Sequence, residues 1–501
     1  MRYLSTRGQA SVETGAEAIK LGLAPDGGLF LPERIPALSA TGFTGLSDLT
    51  YAQMAARVLQ VYLPDYSLAE LQAQAEAAYG PDRFDDPEVT PMHRLDAQTH
   101  VLELWHGPTA AFKDLALQIM PRLLMAAIAK TGEQGEIVIL VATSGDTGKA
   151  ALEGFRDVPG TRIIVFYPQD GVSRVQELQM TTQEGSNTAV VAVKGNFDDA
   201  QTGVKAIFGD HALSAELAAR NLRFSSANSI NWGRLAPQIA YYIRAYLQLL
   251  RQGAVRQGEP LIAAVPTGNF GNILAAYYAK SMGVPFAKLV CASNQNKILT
   301  DFIRTGVYDR RRDFHVTSSP SMDILISSNL ERLLFLLADM DPEPIKGWMA
   351  ALEDRGTYTV GGAVLHKLQE IFWAGFADEE RTRATIARAY HDGGYLLDTH
   401  TAVGLDVLES YRRETGDRTP AILAATASPF KFSGAVLRAV AGGEAAAGGD
   451  ETSLLRKLAD LTGQPIPPGL RRLDAKPIRH TRVCAREEMP REIKALLGLT
   501  S

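Results

Sequence analysis

Short, continuous apolar runs alternate with helical patterns through most of this chain, and that alternation restricts the fold more than any other feature. Ile137–Thr143 (IVILVAT) reads as a buried strand, and Lys149–Phe155 as the helix after it. Ile163–Tyr167, Ala189–Val193, Leu261–Pro266, Lys288–Ala292 and Ala421–Thr426 repeat the strand pattern. Helical stretches over Val172–Glu184, Asp198–Phe208, Leu213–Arg220 and Asn272–Ser281 fall between them. A strand that is apolar on both faces needs cover on both faces. The pattern therefore predicts an α/β protein with open, parallel sheets.

The first 95 residues read differently. Ala16–Leu21, Tyr51–Leu63 and Ser67–Tyr79 are rich in alanine and leucine and predict a mostly helical N-terminal domain. A Pro25-Asp-Gly-Gly28 turn interrupts it, and Gly80-Pro81 and Asp86-Pro87 close it. A chain of 501 residues suggests about three units. We assign 1–95 to the N-terminal domain, 96–135 with 230–501 to a large α/β domain, and 136–229 to a small one. Ala441–Gly449 reads as a surface loop and the basic, proline-rich tail after Pro465 as a surface wrap.

Composition excludes several classes of partner. The formal net charge of −5 argues against nucleic acid or an anionic membrane. No apolar run approaches the roughly 20 residues a membrane span needs. The first residues hold no apolar signal core. Cys291 and Cys484 fit neither a disulfide framework nor a metal site. The expected setting is a reducing cytoplasm, with a small-molecule partner, no metal, and a monomer or homodimer.

Ligands of open α/β sheets bind where strands give way to helices. Ala142-Thr-Ser-Gly-Asp-Thr-Gly-Lys-Ala150 is such a place. Its small residues expose N–H groups at a helix start, which suits an anion such as a carboxylate. A nucleotide P-loop is the rival reading, but it needs glycine at 143 and Ser or Thr at 150, where Thr143 and Ala150 stand. Pro266-Thr-Gly-Asn-Phe-Gly-Asn272 is a second loop of this kind. Gly268 and Gly271 allow close backbone approach, and successive N–H groups would cradle a phosphate. A third loop, Ala424–Lys431, would turn the Thr426 hydroxyl into the same crevice.

His106-Gly-Pro-Thr-Ala-Ala-Phe-Lys-Asp-Leu-Ala-Leu-Gln118 carries the fourth signal. Thr109 is placed to cap a helix that Pro121 would break. Lys113 sits in its first turn, beside Phe112 and an apolar run. Burial would favour the neutral, nucleophilic amine, whereas a lysine on an amphipathic helix can equally snorkel to water. The three loops favour the first reading. A buried lysine, a phosphate cradle and a hydroxyl for a ring nitrogen are the parts a pyridoxal phosphate (PLP) enzyme requires.

These motifs, together with Asn228–Gln238 (NSINWGRLAPQ), Ser318–Ile324 and Asp398–Gly404, resemble the longer-chain threonine synthases, a family of fold-type-II PLP enzymes related in fold to the tryptophan synthase β subunit. The resemblance implies that Lys113 carries PLP as a Schiff base. Gly268, Asn269, Phe270, Gly271 and Asn272 would hold its phosphate, and Thr426 its ring nitrogen. Ser144, Gly145, Asp146 and Thr147 would receive the substrate carboxylate. Lys149, Arg234 and Lys431 are the cations expected at the substrate phosphate, with Asn231 and Ser321 as further polar candidates. His106 and His400 have either an orienting or a purely structural part, and Ser428 no chemical one. The implied reaction turns O-phospho-L-homoserine and water into L-threonine and phosphate. The alternatives are a phospho-lyase or serine/threonine dehydratase giving 2-oxobutyrate, a P-loop enzyme using Lys149, and a PLP carrier without turnover.

Overall fold

The structure, a computed structural model, describes residues 1–499 apart from 444–445 and 447–448. Those four fall in the patch expected to form a surface loop.

Two parallel sheets organise the chain. The larger has six strands in the order Phe372–Phe376, Phe286–Ser293, Leu261–Pro266, Ala421–Ala425, Thr99–Glu103 and Met92–Arg94. The first five run parallel, and the last is an antiparallel edge. Its central strand Leu261–Pro266 is buried along its whole length, as a strand covered on both faces must be. The smaller sheet is parallel throughout, in the order Arg482–Ala485, Thr188–Lys194, Thr161–Pro168, Glu136–Ala142 and Leu222–Ser226.

The domain assignment needs two corrections. The tail does not simply wrap the larger unit. Residues 482–485 form an edge strand of the small sheet, and Met489–Leu497 packs its Met489 and Ile493 into that sheet's outer core. On the way, Arg479 and His480 donate backbone N–H groups to the Thr181 carbonyl. The N-terminal segment, in turn, has no core of its own. Tyr3, Met54, Leu59 and Tyr62 join one cluster with Trp232, Ile239 and Tyr278. Its helices Gly15–Leu21, Tyr51–Tyr62 and Leu68–Tyr79 follow the sequence reading. A three-stranded antiparallel sheet of Ser11–Val12, Tyr3–Ser5 and Phe30–Pro32 was not expected, because strands of two or three residues carry no measurable period.

The helix Trp232–Arg251 ties these parts together. It is buried from 232 to 249, and its polar residues Arg234, Gln238, Arg244 and Gln248 face partners rather than water. Pro237 lies in its second turn, where it has no N–H to offer the Gly233 carbonyl one turn back.

Candidate active site

The lysine stretch folds as a tight turn followed by a short helix. Thr109 does not cap that helix. Instead the Asp114 carboxylate accepts from the Thr109 N–H and hydroxyl, both at 2.8 Å, and caps the turn in reverse. Gly107 is required here, since a Cβ would lie 2.5 Å from the Asp114 Cβ. Ala110 takes φ 57°, a left-handed conformation that costs an alanine about 1 kcal/mol and is held by its bonds to Gly107 and Ser428. The helix Asp114–Leu117 ends before Met120–Lys130, which has Pro121 in its first turn, so the proline does separate two segments.

This turn is laid against the third loop. Phe112 N–H donates to the Thr426 carbonyl, and Ala111 pairs with Ala427. Lys113 thereby stands beside Thr426, whose hydroxyl makes no hydrogen bond among the described residues. The Lys113 amine lies 3.4 Å from Ser321 Oγ, 3.7 Å from Asp146 Oδ2 and 4.8 Å from the Phe112 ring centroid. Burial lowers its pKa. Asp146 opposes that, Lys431 and Arg234 add to it, and the result is about 8.

Asp146 is the hub of the site. Its side chain is 3% exposed and meets Lys431 Nζ at 2.8 Å, Gln176 Nε2 at 3.0 Å and Ser321 Oγ at 3.3 Å. Burial would raise its pKa, but Lys431 and Lys113 outweigh burial and hold it far below the usual carboxylate range. Lys431 is fully buried, and its remaining reach goes to the Thr109 carbonyl at 2.9 Å. Gly145 opens the helix Asp146–Phe155 with φ 131°, and Thr143 Oγ1 accepts from Gly145 and Gly148 N–H. The hydroxyls of Ser144 and Thr147 have no protein partner among the described residues.

The second glycine loop faces the same crevice. Phe270 caps the helix Gly271–Ser281 at φ 65°. No acceptor among the described residues takes the N–H groups of 268–272. Asn272 Oδ1 accepts from Tyr241 and Tyr242 hydroxyls at 2.8 and 2.5 Å, which fixes the amide and leaves its Nδ2 buried without an acceptor. N–H groups left without acceptors at a helix start are the kind of donors that suit an anion.

Residues 2–79 match the family model Threonine synthase N terminus, and 401–493 match Threonine synthase, C-terminal. Threonine synthase of Pseudomonas aeruginosa is 40% identical over 462 residues, covering 92% of this chain and 93% of its own length. The chain belongs to the threonine synthase family. Human threonine synthase-like 1 is 42% identical over 442 residues; 86% of this chain is covered, but it spans only 58% of that relative. The crystal structure of a PLP-bound threonine synthase from Brucella melitensis is similar with a TM-score of 0.86 at 36% identity, over 99% of each chain.

In this threonine synthase family member, some expected site residues do other work. Lys149 does not turn to the crevice. Its ammonium is spent on Glu153 at 3.2 Å and on Gln183, in a buried network. Asn231 caps the helix Trp232–Arg251 with its carbonyl and donates to the Ile19 carbonyl at 2.9 Å, so both ends of its amide are used. Arg234 differs. It is 4% exposed, donates to the Ala227 carbonyl at 2.8 Å, has an unpartnered Nε, and makes no ion pair among the described residues. Gln176, Asp398 and Asn329, whose Nδ2 donates to the Asn269 carbonyl of the second glycine loop at 3.1 Å, were not read from the sequence as site residues. Gln176 sits inside a capping box, Ser173–Gln176, whose local explanation hides its second contact to Asp146.

His106 is structural. Its ring joins Asp85 at 2.7 Å and Glu103 at 2.8 Å and stacks on Trp105. Burial would lower its pKa, but the two carboxylates prevail and push it up to about 9. A raised folded pKa gives stability that is complete below about 6.5 and is lost as pH climbs toward 9. Urea midpoints should therefore fall by an equivalent of about 2 kcal/mol between pH 6 and 9, and His106→Asn should flatten that slope.

Gly268 has no room for a side chain, because a Cβ would lie 2.4 Å from the Ser321 carbonyl oxygen. Gly268→Ala must push two loops apart, at about 1–3 kcal/mol. Retention of PLP through dialysis should weaken about tenfold, and retention equal to the parent protein's would sink the cradle assignment.

Proposed function

We propose that this protein is a PLP-dependent threonine synthase, converting O-phospho-L-homoserine and water to L-threonine and phosphate. The observation that carries the reading is the buried Lys113 amine beside the 268–272 loop, whose N–H groups have no acceptor among the described residues, and beside the Ser144 and Thr147 hydroxyls, which have no partner there either. The residues present fit the cofactor. Lys113 would hold it covalently, the N–H groups of 268–272 with Asn272 Nδ2 would take its phosphate, and the unpaired Thr426 hydroxyl its ring nitrogen. Bound there, PLP supplies an electron sink for charge developing on the substrate's carbon atoms.

The chain's own residues handle binding and protons. The N–H groups and hydroxyls of Ser144 and Thr147, at the start of the helix Asp146–Phe155, suit the substrate carboxylate. Asp146 carries a charge that would repel that group, and Lys431 neutralises it. Arg234 suits the substrate phosphate, because its guanidinium has donors to spare and no acid of its own. Burial pushes its pKa down to about 10, which leaves it cationic at neutral pH. Lys113 is the group that takes the proton from Cα. With a pKa near 8 it is a base that can also return protons, a part typically worth ~10²–10⁴-fold. Water reaches Cβ after phosphate has left Cγ. The unpaired cysteines suit a reducing cytoplasm, and the expected assembly is a monomer or homodimer.

The deciding experiment adds phosphohomoserine to the PLP-loaded protein and measures phosphate, threonine and 2-oxobutyrate together. Equal phosphate and threonine support the reading. Phosphate with keto acid in place of threonine would make it a lyase.

A further inference from the structure

Two motifs find no use in the reaction as described, the segment Ser318–Ile324 and the helix start Asp398–Thr401. The structure joins them. Asp398 caps the helix Thr399–Thr415 and accepts from His400 Nδ1 at 2.8 Å. The Ser321 N–H points to His400 Nε2 at 3.2 Å. A donor facing Nε2 requires that nitrogen to be the acceptor, so the ring proton lies on Nδ1, toward Asp398. His400 and Asp398 are 2% and 1% exposed, so water does not compete for these bonds. Thr399 Oγ1 adds a second hold on the same segment, donating to the Ser318 carbonyl at 2.7 Å.

What this grip holds in place is a hydroxyl. Ser321 Oγ lies 3.4 Å from the Lys113 amine and 3.3 Å from Asp146 Oδ2. It accepts from one and donates to the other, and the contacts are as long as those of ligand-free catalytic sites commonly are. Without Ser321, the amine keeps, among the described residues, only the 3.7 Å contact with Asp146 and the non-directional Phe112 ring face at 4.8 Å to fix its direction.

We propose that Ser321 aims the Lys113 amine, and that Asp398 and His400 are positioning residues that hold Ser321 through its backbone N–H. This rests on the reading of Lys113 as the proton-moving group. It departs from the expectation that Ser321 serves the substrate phosphate.

The test compares the PLP-loaded full-length protein with S321A, H400N and H400Q. The glutamine of H400Q can present its amide oxygen where Nε2 stands. The asparagine of H400N reaches only as far as Nδ1, so it keeps the Asp398 bond and loses the Ser321 bond. The first readout is exchange of the substrate α-proton in D₂O, followed by NMR. The second is the rate at which PLP-stripped protein regains its visible band on adding PLP, which reports the reach of the free amine and not turnover. S321A and H400N should each slow exchange about 10–100-fold and band recovery about tenfold, the scale on which small misplacements act. H400Q should stay within about threefold of the parent on the same scale. S321A combined with H400N should be no slower than either alone, because both remove one contact.

Parent-rate exchange and band recovery in S321A overturn the assignment. So does H400N matching the parent while H400Q fails, which would make the Asp398 bond the whole role of His400. If the His400 variants do not accumulate as folded protein, S321A decides alone. A parent protein that exchanges the proton but releases no phosphate overturns the synthase reading and leaves this one standing.

Discussion

Lys113→Ala should remove the visible absorption of the PLP-loaded protein and threonine formation together. On the reading proposed above the amine is the covalent holder and the proton carrier at once, so its loss would not be partial. Proton transfer alone is worth ~10²–10⁴-fold, and loss of covalent attachment multiplies that. Nothing nearby can substitute. Lys431 is tied to Asp146 and Thr109, and Lys149 to Glu153 and Gln183. The folded state should be intact or slightly steadier, since a buried amine is removed and the cation pair Lys431 and Arg234 loses a like charge. Turnover in this variant above ~10⁻³ of the parent's would sink the lysine assignment.

Asp146→Asn should be the most damaging change to stability. The carboxylate is the only acid paired with the fully buried Lys431 among the described residues. Removing one partner of a buried pair leaves an uncompensated charge, at about 3–5 kcal/mol. The sign with pH follows from the direction of the shift. A depressed carboxylate gives stability that is present above about pH 4 and is lost only as pH falls further. The gap between parent and variant in urea midpoint should therefore stay level from pH 5 to 7. Adding Lys431→Met should restore part of the loss, and no recovery in the double variant would count against the ion pair as the cause.

Much of the framework was legible because it rests on local patterns. Leu261–Pro266 is a strand with the bounds its apolar run implies, and the two glycine loops stand at strand-to-helix junctions as expected. The site was harder to read where a side chain has two plausible destinations. Lys149 follows a glycine loop, which suggests a ligand, yet Glu153 lies one helical turn on and captures it. Asn231 precedes a helix, and capping explains it fully. Thr109 looked like a cap from its type, but the carboxylate that closes that turn comes from Asp114, past the lysine. The contacts of Ser321 with Lys113, Asp146 and His400 span 208, 175 and 79 residues, and no local pattern encodes them.

The edge strand Arg482–Ala485 gave no signal either, being four residues long and largely exposed. It also sets an order of events during synthesis. Its partner Thr188–Lys194 leaves the ribosome 288 residues before Arg482 does, by subtraction of 194 from 482. At ~5–20 residues per second that is a wait of roughly 15–60 s. Throughout it the small sheet exposes the N–H and C=O groups of a Val-rich strand, the kind of edge on which chains aggregate. The residues that cover this edge are thus made long after the strand they pair with, and a chain stopped before 482 leaves that edge open.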